Sequence, residues 1–264
     1  MANATSVILA VNQQKGGTGK TTTTACLGDA LQRFLSKRVL LVDLDRQASL
    51  TDWLVDPFGQ GIASDMAGIE DLLTGAVTDT GSVIRTVRDG LDILPATNGL
   101  DAAVKELENK LAGREKALTK TLAPLREIYE VIVVDCPPGI SVLTVNVLVA
   151  ADALIIPVEA SMMSTFALRD LNILIGEIND SGYRAEDLQV VGVLPTKLRA
   201  NTSTTLVLAE LEKHFPVLPG IRQTVRAEEA VAAHKLLQDW SPGSTAADDY
   251  RVAAEKVAST LGIG

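Results

Sequence analysis

The chain has 264 residues, of which 47% are hydrophobic and 22% charged, with a formal net charge of −9. Such a composition is typical of a globular protein with a large apolar core, and no apolar run approaches the roughly 20 residues of a membrane span. The acidic balance argues against a protein that coats nucleic acid with its whole surface. The N-terminus leads almost directly into an apolar run and the two cysteines lack metal-ligand spacing, so we expect no secretion signal and reduced thiols in a cytoplasmic protein.

The first patterned stretch combines a strand, a glycine-rich loop and a helix. Apolar residues fill 7–11, three glycines follow at Gly16, Gly17 and Gly19, and Lys20 and Thr21 come next. This order is typical of a phosphate-binding loop. Glycines can turn successive N–H groups toward an anion, Lys20 adds a charge for the β- and γ-phosphates, and the Thr21 hydroxyl is placed to hold Mg²⁺. The sequence therefore predicts a nucleotide site here.

The loop departs from the usual G-x-x-x-x-G-K-[ST] pattern in two ways. Gln14 stands where the first glycine belongs, and a second lysine, Lys15, stands at the loop entrance. Because Lys15 cannot easily fold back onto phosphates that its own loop wraps, we expect it to reach a nucleotide held by a facing subunit. A glycine-rich turn with ordinary surface lysines is the plain alternative.

The rest of the chain alternates apolar runs with helical periodicity. Nearly uniform apolar strands separated by helices favour a doubly wound α/β fold, a mostly parallel sheet covered by helices on both faces. No repeat or linker divides the chain, so we predict one domain over 1–264. We expect 51–68 to be a loop with a short helix, and Asp101 to cap its helix. The predicted strands cover 7–11, 39–43, 91–95, 131–135, 153–158 and 190–195, and the predicted helices cover 23–35, 101–122, 165–179, 203–213, 227–237 and 245–261.

Three carboxylates follow predicted strands. Asp43 and Asp45 end a strand that we expect to neighbour the loop strand, and Asp135 ends the run 131–134. Ligands of open parallel sheets bind outside the carboxyl ends of the strands. Four apolar residues before an acid are typical of the second phosphate-site strand, so we predict that Asp135 orients Mg²⁺. Asp43 would face the water shell of the metal, and Asp45 would reach the attacking water.

Residues 197–226 differ in charge from the rest of the chain. They contain five basic residues against two acids, within a chain that has 33 acids and 24 Lys and Arg residues. A local basic face is therefore expected on an acidic protein. Thr196 and Lys197, just after a strand, are candidates to line an adenine site.

Together these motifs resemble the ParA-type partition ATPases, a branch of the deviant phosphate-loop group that includes MinD, the nitrogenase iron protein and dethiobiotin synthetase. The resemblance covers nearly the whole chain. Residues 42–47 are similar to the family's V-D-x-D-P-Q with Arg46 replacing proline, and residues 134–139 are similar to its third motif. The loop matches K-G-G-V-G-K-T-T through Lys15, Gly16, Gly17, Thr18, Gly19, Lys20, Thr21 and Thr22, with Thr18 in place of valine.

The resemblance implies Mg-ATP binding, slow ATP hydrolysis, an ATP-sandwich homodimer and binding of the dimer to non-specific DNA. A ParB-type centromere-binding partner would stimulate hydrolysis, in the cytoplasm and on the nucleoid. By position, Lys15 would act across the dimer, Lys20 and Thr21 would hold phosphate and Mg²⁺, and Asp45 would orient water. Members with an N-terminal helix-turn-helix carry about a hundred more residues, so we expect none here.

The same resemblance brings Arg199 and Arg226 near DNA-contacting positions, and we add Arg222 from the same basic segment. A basic face made bivalent by dimerisation gives salt-dependent phosphate binding. Solvated arginines or an adenine contact are the alternatives.

Other members of the group offer rival functions. A MinD-like spatial regulator would need a basic amphipathic C-terminal helix, but residues 248–264 are alanine-rich and nearly neutral, so we expect no membrane binding. An iron–sulfur protein would need paired bridging cysteines, for which Cys26 is badly positioned. A small-molecule synthetase would turn over its substrate without an effect of DNA, and a filament former would sediment with ATP alone.

Overall fold

The computed structural model describes residues 6–55, 66–159, 164–200 and 202–264. Within these ranges, one sheet contains seven strands. In chain order they are β1 (Val7–Val11), β2 (Val39–Asp43), β3 (Arg85–Arg88), β4 (Leu91–Leu94), β5 (Val131–Asp135), β6 (Ala153–Glu159) and β7 (Gln189–Thr196).

Helices connect the strands. The longer ones are α1 (Lys20–Leu35), α5 (Leu100–Asn109), α7 (Val142–Ala150), α8 (Ser164–Asp180), α9 (Thr202–Leu211) and α12 (Thr245–Leu261). The shorter ones are α2 (Ser49–Leu54), α3 (Ile69–Thr74), α4 (Thr80–Val83), α6 (Ala117–Leu122), α10 (Arg226–Ala232) and α11 (Leu237–Trp240), with 3₁₀ turns at Arg114–Lys116 and Ala123–Glu127.

The strand order is β3-β4-β2-β5-β1-β6-β7, with β3 antiparallel to β4 and the other pairs parallel. This confirms the predicted doubly wound, mostly parallel sheet. The expectation that β2 neighbours β1 is wrong, because β5 lies between them. The chain runs from β1 to one side of the sheet and later returns to the other, so the loop after β1 lies at the switch point where such folds bind ligands.

Both faces of the sheet are buried, as the uniform apolar strands predict. Along β1, Leu9 and Val11 face a core that includes Ala25 of α1 and Ala253 of α12. Ile8 and Ala10, which alternate with them, face a second core that includes Val147 of α7 and Leu171 of α8. Two helical layers therefore fix the central strands, and with them the loop that follows β1.

Several predicted helices have different bounds in the structure. Helix α1 begins at Lys20 instead of residue 23. The predicted helix 101–122 is interrupted after α5, where Gly113 takes a left-handed φ of 75°. Asp101 lies in the first turn of α5, whose N-cap is Gly99, so the predicted cap is wrong. The predicted helix 227–237 divides into α10 and α11 around His234, which has a φ of 50°.

Residues 51–68 were expected to be a loop with a short helix. The structure begins α2 at Ser49, and residues 56–65 of this stretch lie outside the described ranges. Helices α3, α4 and α7 and strand β3 were not predicted. Strand β3 is held at the sheet edge by Arg88, which pairs with the buried carboxylate of Asp29 on α1.

The helices in the described ranges include none that is long and apolar enough to cross a membrane. The alanine-rich stripe of α12 packs against α1, with Ala247, Tyr250 and Ala254 buried. Both Cys26 and Cys136 are free and buried.

Gly192 in β7 is required by the close approach of another backbone. Its φ is 154°, and a Cβ at this position would lie 2.6 Å from the carbonyl oxygen of Pro216. We expect Gly192→Ala to lower the free energy of unfolding by about 2–4 kcal/mol, since backbone must move to relieve the contact. Gly176→Ala, at an open position in α8, is the matched control and should stabilise the protein by about 0.5–1 kcal/mol. Equal urea midpoints for the two variants would contradict this assignment.

Candidate functional site

The loop between β1 and α1 has the backbone of an anion-binding turn. Gly17 and Gly19 have left-handed φ values of 75° and 87°. Gly16 is not among the residues with positive φ, so its glycine is not demanded by backbone angle. Gly19 is the N-cap of α1 and makes no side-chain cap, so the first N–H groups of the helix remain available to an anion.

Lys20, Thr21 and Asp135 come together beneath this loop. Lys20 is 7% exposed and Asp135 is fully buried. Burial and the negative charge of Asp43 raise the pKa of Asp135 well above its ordinary value, whereas the Thr21 hydroxyl and the Lys20 ammonium lower it. Oδ1 of Asp135 accepts a hydrogen bond from Thr24 at 3.5 Å, and Oδ2 accepts none from the described part of the chain. A buried carboxylate oxygen without a donor, next to a threonine hydroxyl, fits a hydrated cation.

Asp43 lies directly opposite Asp135 on the neighbouring strand and has a structural task of its own. Its Oδ2 accepts hydrogen bonds from the backbone N–H and the hydroxyl of Thr51, at 2.9 and 2.7 Å, and its Oδ1 accepts the N–H of Asp45 at 3.1 Å. Burial raises the pKa of Asp43 to about 6, and these hydrogen bonds oppose the rise. Asp43 therefore fixes the turn that leads into α2, and the metal contact predicted for it stays a prediction.

Asp45 is half-buried and lies one step along this turn. Its Oδ1 accepts the N–H of Gln47 at 3.0 Å, and its carbonyl accepts the N–H of Ala48 at 2.9 Å. Its negative charge contributes to the raised pKa values of both Asp43 and Asp135, so the three predicted carboxylates share one site.

The remaining loop residues differ in exposure. Lys15 is exposed, and no acid lies within ion-pair distance of it among the residues that the structure describes. Thr18 is buried, and its hydroxyl donates to the Lys15 carbonyl at 3.4 Å. Thr22 is half-buried at the wall of the cavity described below.

Thr196 and Lys197 at the end of β7 hold the loop from the side. The Thr196 hydroxyl donates to the Thr18 carbonyl at 2.9 Å, and Lys197 Nζ donates to the Gly17 carbonyl at 2.9 Å. Lys197 does so with a left-handed φ of 52°, which is uncommon for a residue with a side chain. Both residues border the loop, as a role beside the nucleotide requires.

A cavity of about 170 Å³ opens next to the loop, between β7, α10 and α12. Most of the residues in its wall were not predicted, because they are distant in the sequence and are brought together only by the return of the chain after β7. The missed residues include Gln223, Thr224, Ala227, Glu228 and Tyr250, and they join Gly19, Thr22, Thr196 and Lys197 around the cavity. Its position beside the loop suits a nucleoside.

The three predicted DNA-binding arginines lie close to this cavity: Arg199 in the loop after β7, Arg222 in the segment before α10, and Arg226 at the first residue of α10. Arg222 is engaged by Asp249, with Nε 3.0 Å from Oδ2 and Nη2 2.6 Å from Oδ1, and it lines the cavity. Arg226 pairs with Glu229 at 2.8 Å, and Arg199 donates to the side chain of Gln223. The arginines therefore form one rim, in which Arg222 is the most strongly neutralised.

A glycine-rich loop at the switch point of a parallel sheet, with a buried lysine and an acidic strand end beside it, defines a phosphate-loop nucleotide-binding protein. The family model described as an AAA domain matches residues 6–190. The sporulation initiation inhibitor protein Soj of Bacillus subtilis is 34% identical over 264 residues, covering 96% of this chain and 98% of that protein. The chromosome-partitioning ATPase Soj of Thermus thermophilus is 35% identical, covering 94% of each.

A solved structure extends this comparison. The cobyrinic acid a,c-diamide synthase of Mycobacterium smegmatis, with bound ADP and magnesium, has a TM-score of 0.75 and 33% identity, covering 91% of this chain and 98% of that one. The chain therefore belongs to the AAA domain family, within the ParA/MinD-type group of phosphate-loop ATPases. The predicted resemblance to that group is confirmed.

The hydrogen bonds of Thr51 generate a prediction about the turn after β2. The Thr51 hydroxyl donates to Asp43 and accepts the N–H of Ala96 at 3.0 Å, with the side chain fully buried. Thr51→Val removes both bonds at nearly constant volume, and we expect a loss of about 2–4 kcal/mol in the free energy of unfolding. Thr51→Ser keeps the hydroxyl and is the control. A urea titration in which the two variants unfold together would refute the role of this hydroxyl.

Proposed function

We propose that this chain is an ATP-dependent DNA partition ATPase that binds DNA as an ATP-sandwich dimer. The observation that carries the proposal is the phosphate loop with Lys20, Thr21 and Asp135 gathered beneath it, beside a cavity whose rim holds the arginines. The curated relatives include a protein named as a chromosome-partitioning ATPase, which supports the same reading. Hydrolysis is slow and is stimulated by a ParB-type partner, in the cytoplasm and on the nucleoid, and residues 1–264 act as one domain.

ATP and Mg²⁺ are the cofactors that suit the site. The N–H groups of the loop and Lys20 would bind the phosphates, and the adjoining cavity would take the nucleoside. Mg²⁺ is commonly held by one or two protein oxygens together with phosphates and water. Thr21 and Asp135 supply those oxygens. Bound there, Mg²⁺ would neutralise charge on the phosphates, and Asp45, at the mouth of the site, would orient the attacking water.

Dimerisation is supported by two exposed side chains near the loop, those of Lys15 and Ile140. Lys15 projects from it as an exposed ammonium, and Ile140, whose side chain is 60% exposed, follows a residue that is bonded to the loop. That bond joins the N–H of Gly139 to the Gln14 carbonyl at 2.9 Å. An exposed apolar residue beside an unpaired cation suits a face that closes on a second copy and its nucleotide.

DNA binding is proposed for the rim that carries Arg199 and Arg226. Arg222 is held by Asp249 in a forked ion pair, so the proposal gives it the cavity wall and a minor share of the DNA contact. A dimer doubles the rim, so two weak phosphate-binding surfaces act together. An acidic chain can thereby hold DNA without attracting it over its whole surface.

Random-sequence DNA offers the most direct test. With Mg-ATP, we expect the protein to retard a random-sequence duplex, with weaker retardation in ADP or without nucleotide and loss of binding as KCl rises. Arg199→Glu with Arg226→Glu should bind DNA at least tenfold more weakly and keep its ATPase activity. Lys105→Glu with Lys120→Glu makes the same charge change on α5 and α6 and should bind like the parent. Retardation by the arginine double variant equal to that of the parent would exclude this rim.

The proposed action of Lys15 across the dimer interface can be tested by measuring ATP-dependent dimerisation. Lys15→Gln should bind ATP with parental affinity but remain monomeric on a sizing column with Mg-ATP, whereas the parent dimerises, because the charge offered to the facing nucleotide is gone. Lys20→Ala should lose nucleotide binding altogether. Lys105→Gln is the matched control for loss of a surface lysine. An ATP-dependent dimer of Lys15→Gln would exclude the action of Lys15 across the interface.

A small-molecule synthetase is the second candidate, favoured by the 33% identity to a diamide synthase structure with ADP and magnesium. It would hydrolyse ATP only with its substrate and show no response to DNA. A MinD-like spatial regulator is less favoured, because the apolar stripe of α12 is used in packing against α1. DNA-stimulated ATPase activity separates both candidates from a partition ATPase.

A further inference from the structure

The turn that carries Asp45 is anchored from outside by an ion pair. Arg46 occupies the position at which the similar family motif has proline. Its Nη1 lies 3.1 Å from Oδ1 of Asp101. Asp101 belongs to the first turn of α5, a helix held in the core through Leu100, Val104 and Leu107. The ion pair therefore ties an exposed turn to a fixed element.

The other bonds of this turn in the described part of the chain are made by its own residues and by Asp43. On its inner side, Asp43 accepts the N–H of Asp45, and Asp45 in turn accepts the N–H groups of Gln47 and Ala48. Ala48 completes the turn with a left-handed φ of 49°, a conformation that costs energy for a residue with a Cβ. A strained turn of this kind keeps its shape only when its surroundings hold it.

Electrostatic repulsion acts on the same turn. The carboxylate of Asp45 lies near those of Asp43 and Asp135, and its charge disfavours the charged form of both. Their mutual repulsion favours outward displacement of Asp45, because Asp45 is only half-buried whereas Asp43 and Asp135 are fully buried. The guanidinium of Arg46, the next residue, is bound to Asp101 of α5 and opposes this displacement.

We propose that Arg46 is a positioning residue, which through its ion pair with Asp101 holds the Asp45 carboxylate where it meets the attacking water. The inference rests on the proposed ATP hydrolysis and assigns to this chain an ionic tie in place of the conformational restriction of proline. Arg46 touches neither nucleotide nor water in this role. Because the pair is exposed, its effect is modest and sensitive to salt.

Steady-state ATP hydrolysis tests the proposal through four variants. Arg46→Gln and Asp101→Asn should each lower kcat about two- to fivefold, the range that exposed ion pairs contribute, with KM for ATP unchanged. The double variant should be no slower than either single one, since both break the same pair. The exchanged pair, Arg46→Asp with Asp101→Arg, should recover at least half of the lost rate. Glu106→Gln on α5, which breaks the exposed Lys110–Glu106 pair, is the control and should match the parent.

Amide hydrogen exchange reports on the turn itself. In Arg46→Gln and Asp101→Asn, we expect the N–H groups of Gln47 and Ala48 to exchange severalfold faster than in the parent. The N–H of Thr51, which is bonded to buried Asp43, should be unchanged. A general loss of stability would accelerate all three together, so this measurement separates positioning of the turn from a structural defect.

Other outcomes overturn the inference. An unchanged or raised kcat in the single variants, additive losses in the double variant, or uniform exchange across the turn each exclude positioning of Asp45 by Arg46. A parent protein that binds ATP but does not hydrolyse it, with or without DNA, would instead refute the proposed function. The two failures are thus told apart by the parent protein alone.

Discussion

The structure depends on how it holds buried negative charge at the carboxyl edge of its sheet. Asp43 and Asp135 end neighbouring strands in register and are both fully buried. Two adjacent buried carboxylates repel, so each requires its own compensation. Asp43 obtains it from the N–H and hydroxyl of Thr51, whereas one oxygen of Asp135 has no donor among the residues that the structure describes. The two acids therefore differ: Asp43 stabilises the fold, and Asp135 keeps an oxygen that would suit the proposed Mg²⁺.

The cavity joins this edge to the basic rim. The Thr18 and Gly17 carbonyls are bonded to Thr196 and Lys197, and the chain then continues without a break to Arg199. The adjoining segment runs parallel to it: Leu198 donates its N–H to Ile221 and accepts the N–H of Gln223. A change in the loop backbone on nucleotide binding would thus reach the arginines through two or three hydrogen bonds. Dependence of DNA binding on nucleotide needs no separate domain in this fold.

The sequence predicts the parts of the molecule whose chemistry is local. A buried parallel strand is a continuous apolar run, so the five inner strands, β7 and the acids at the strand ends can be predicted from the sequence. The phosphate-binding loop is predicted from its glycines and Lys20. Helix α7 was missed because Val142–Ala150 is apolar nearly all round and has no polar face, although Ser141 caps it through the N–H of Thr144. The interruption after α5 depends on the left-handed Gly113, and the cavity wall on the return of the chain after β7. Those features are set by tertiary packing, which periodicity does not report.

The replacement of the motif's proline by Arg46 is related to the same repulsion between carboxylates. The carboxylates that make the edge suitable for Mg²⁺ also push against the turn that carries Asp45, so the turn needs a restraint. Proline would supply one locally, by limiting a backbone angle. Arg46 would restrain the turn through its ion pair with Asp101 of α5. An ion pair weakens as the salt concentration rises, whereas the restriction imposed by a proline ring does not. Under the proposed function, a rise in salt would therefore weaken both the restraint on Asp45 and the binding of DNA.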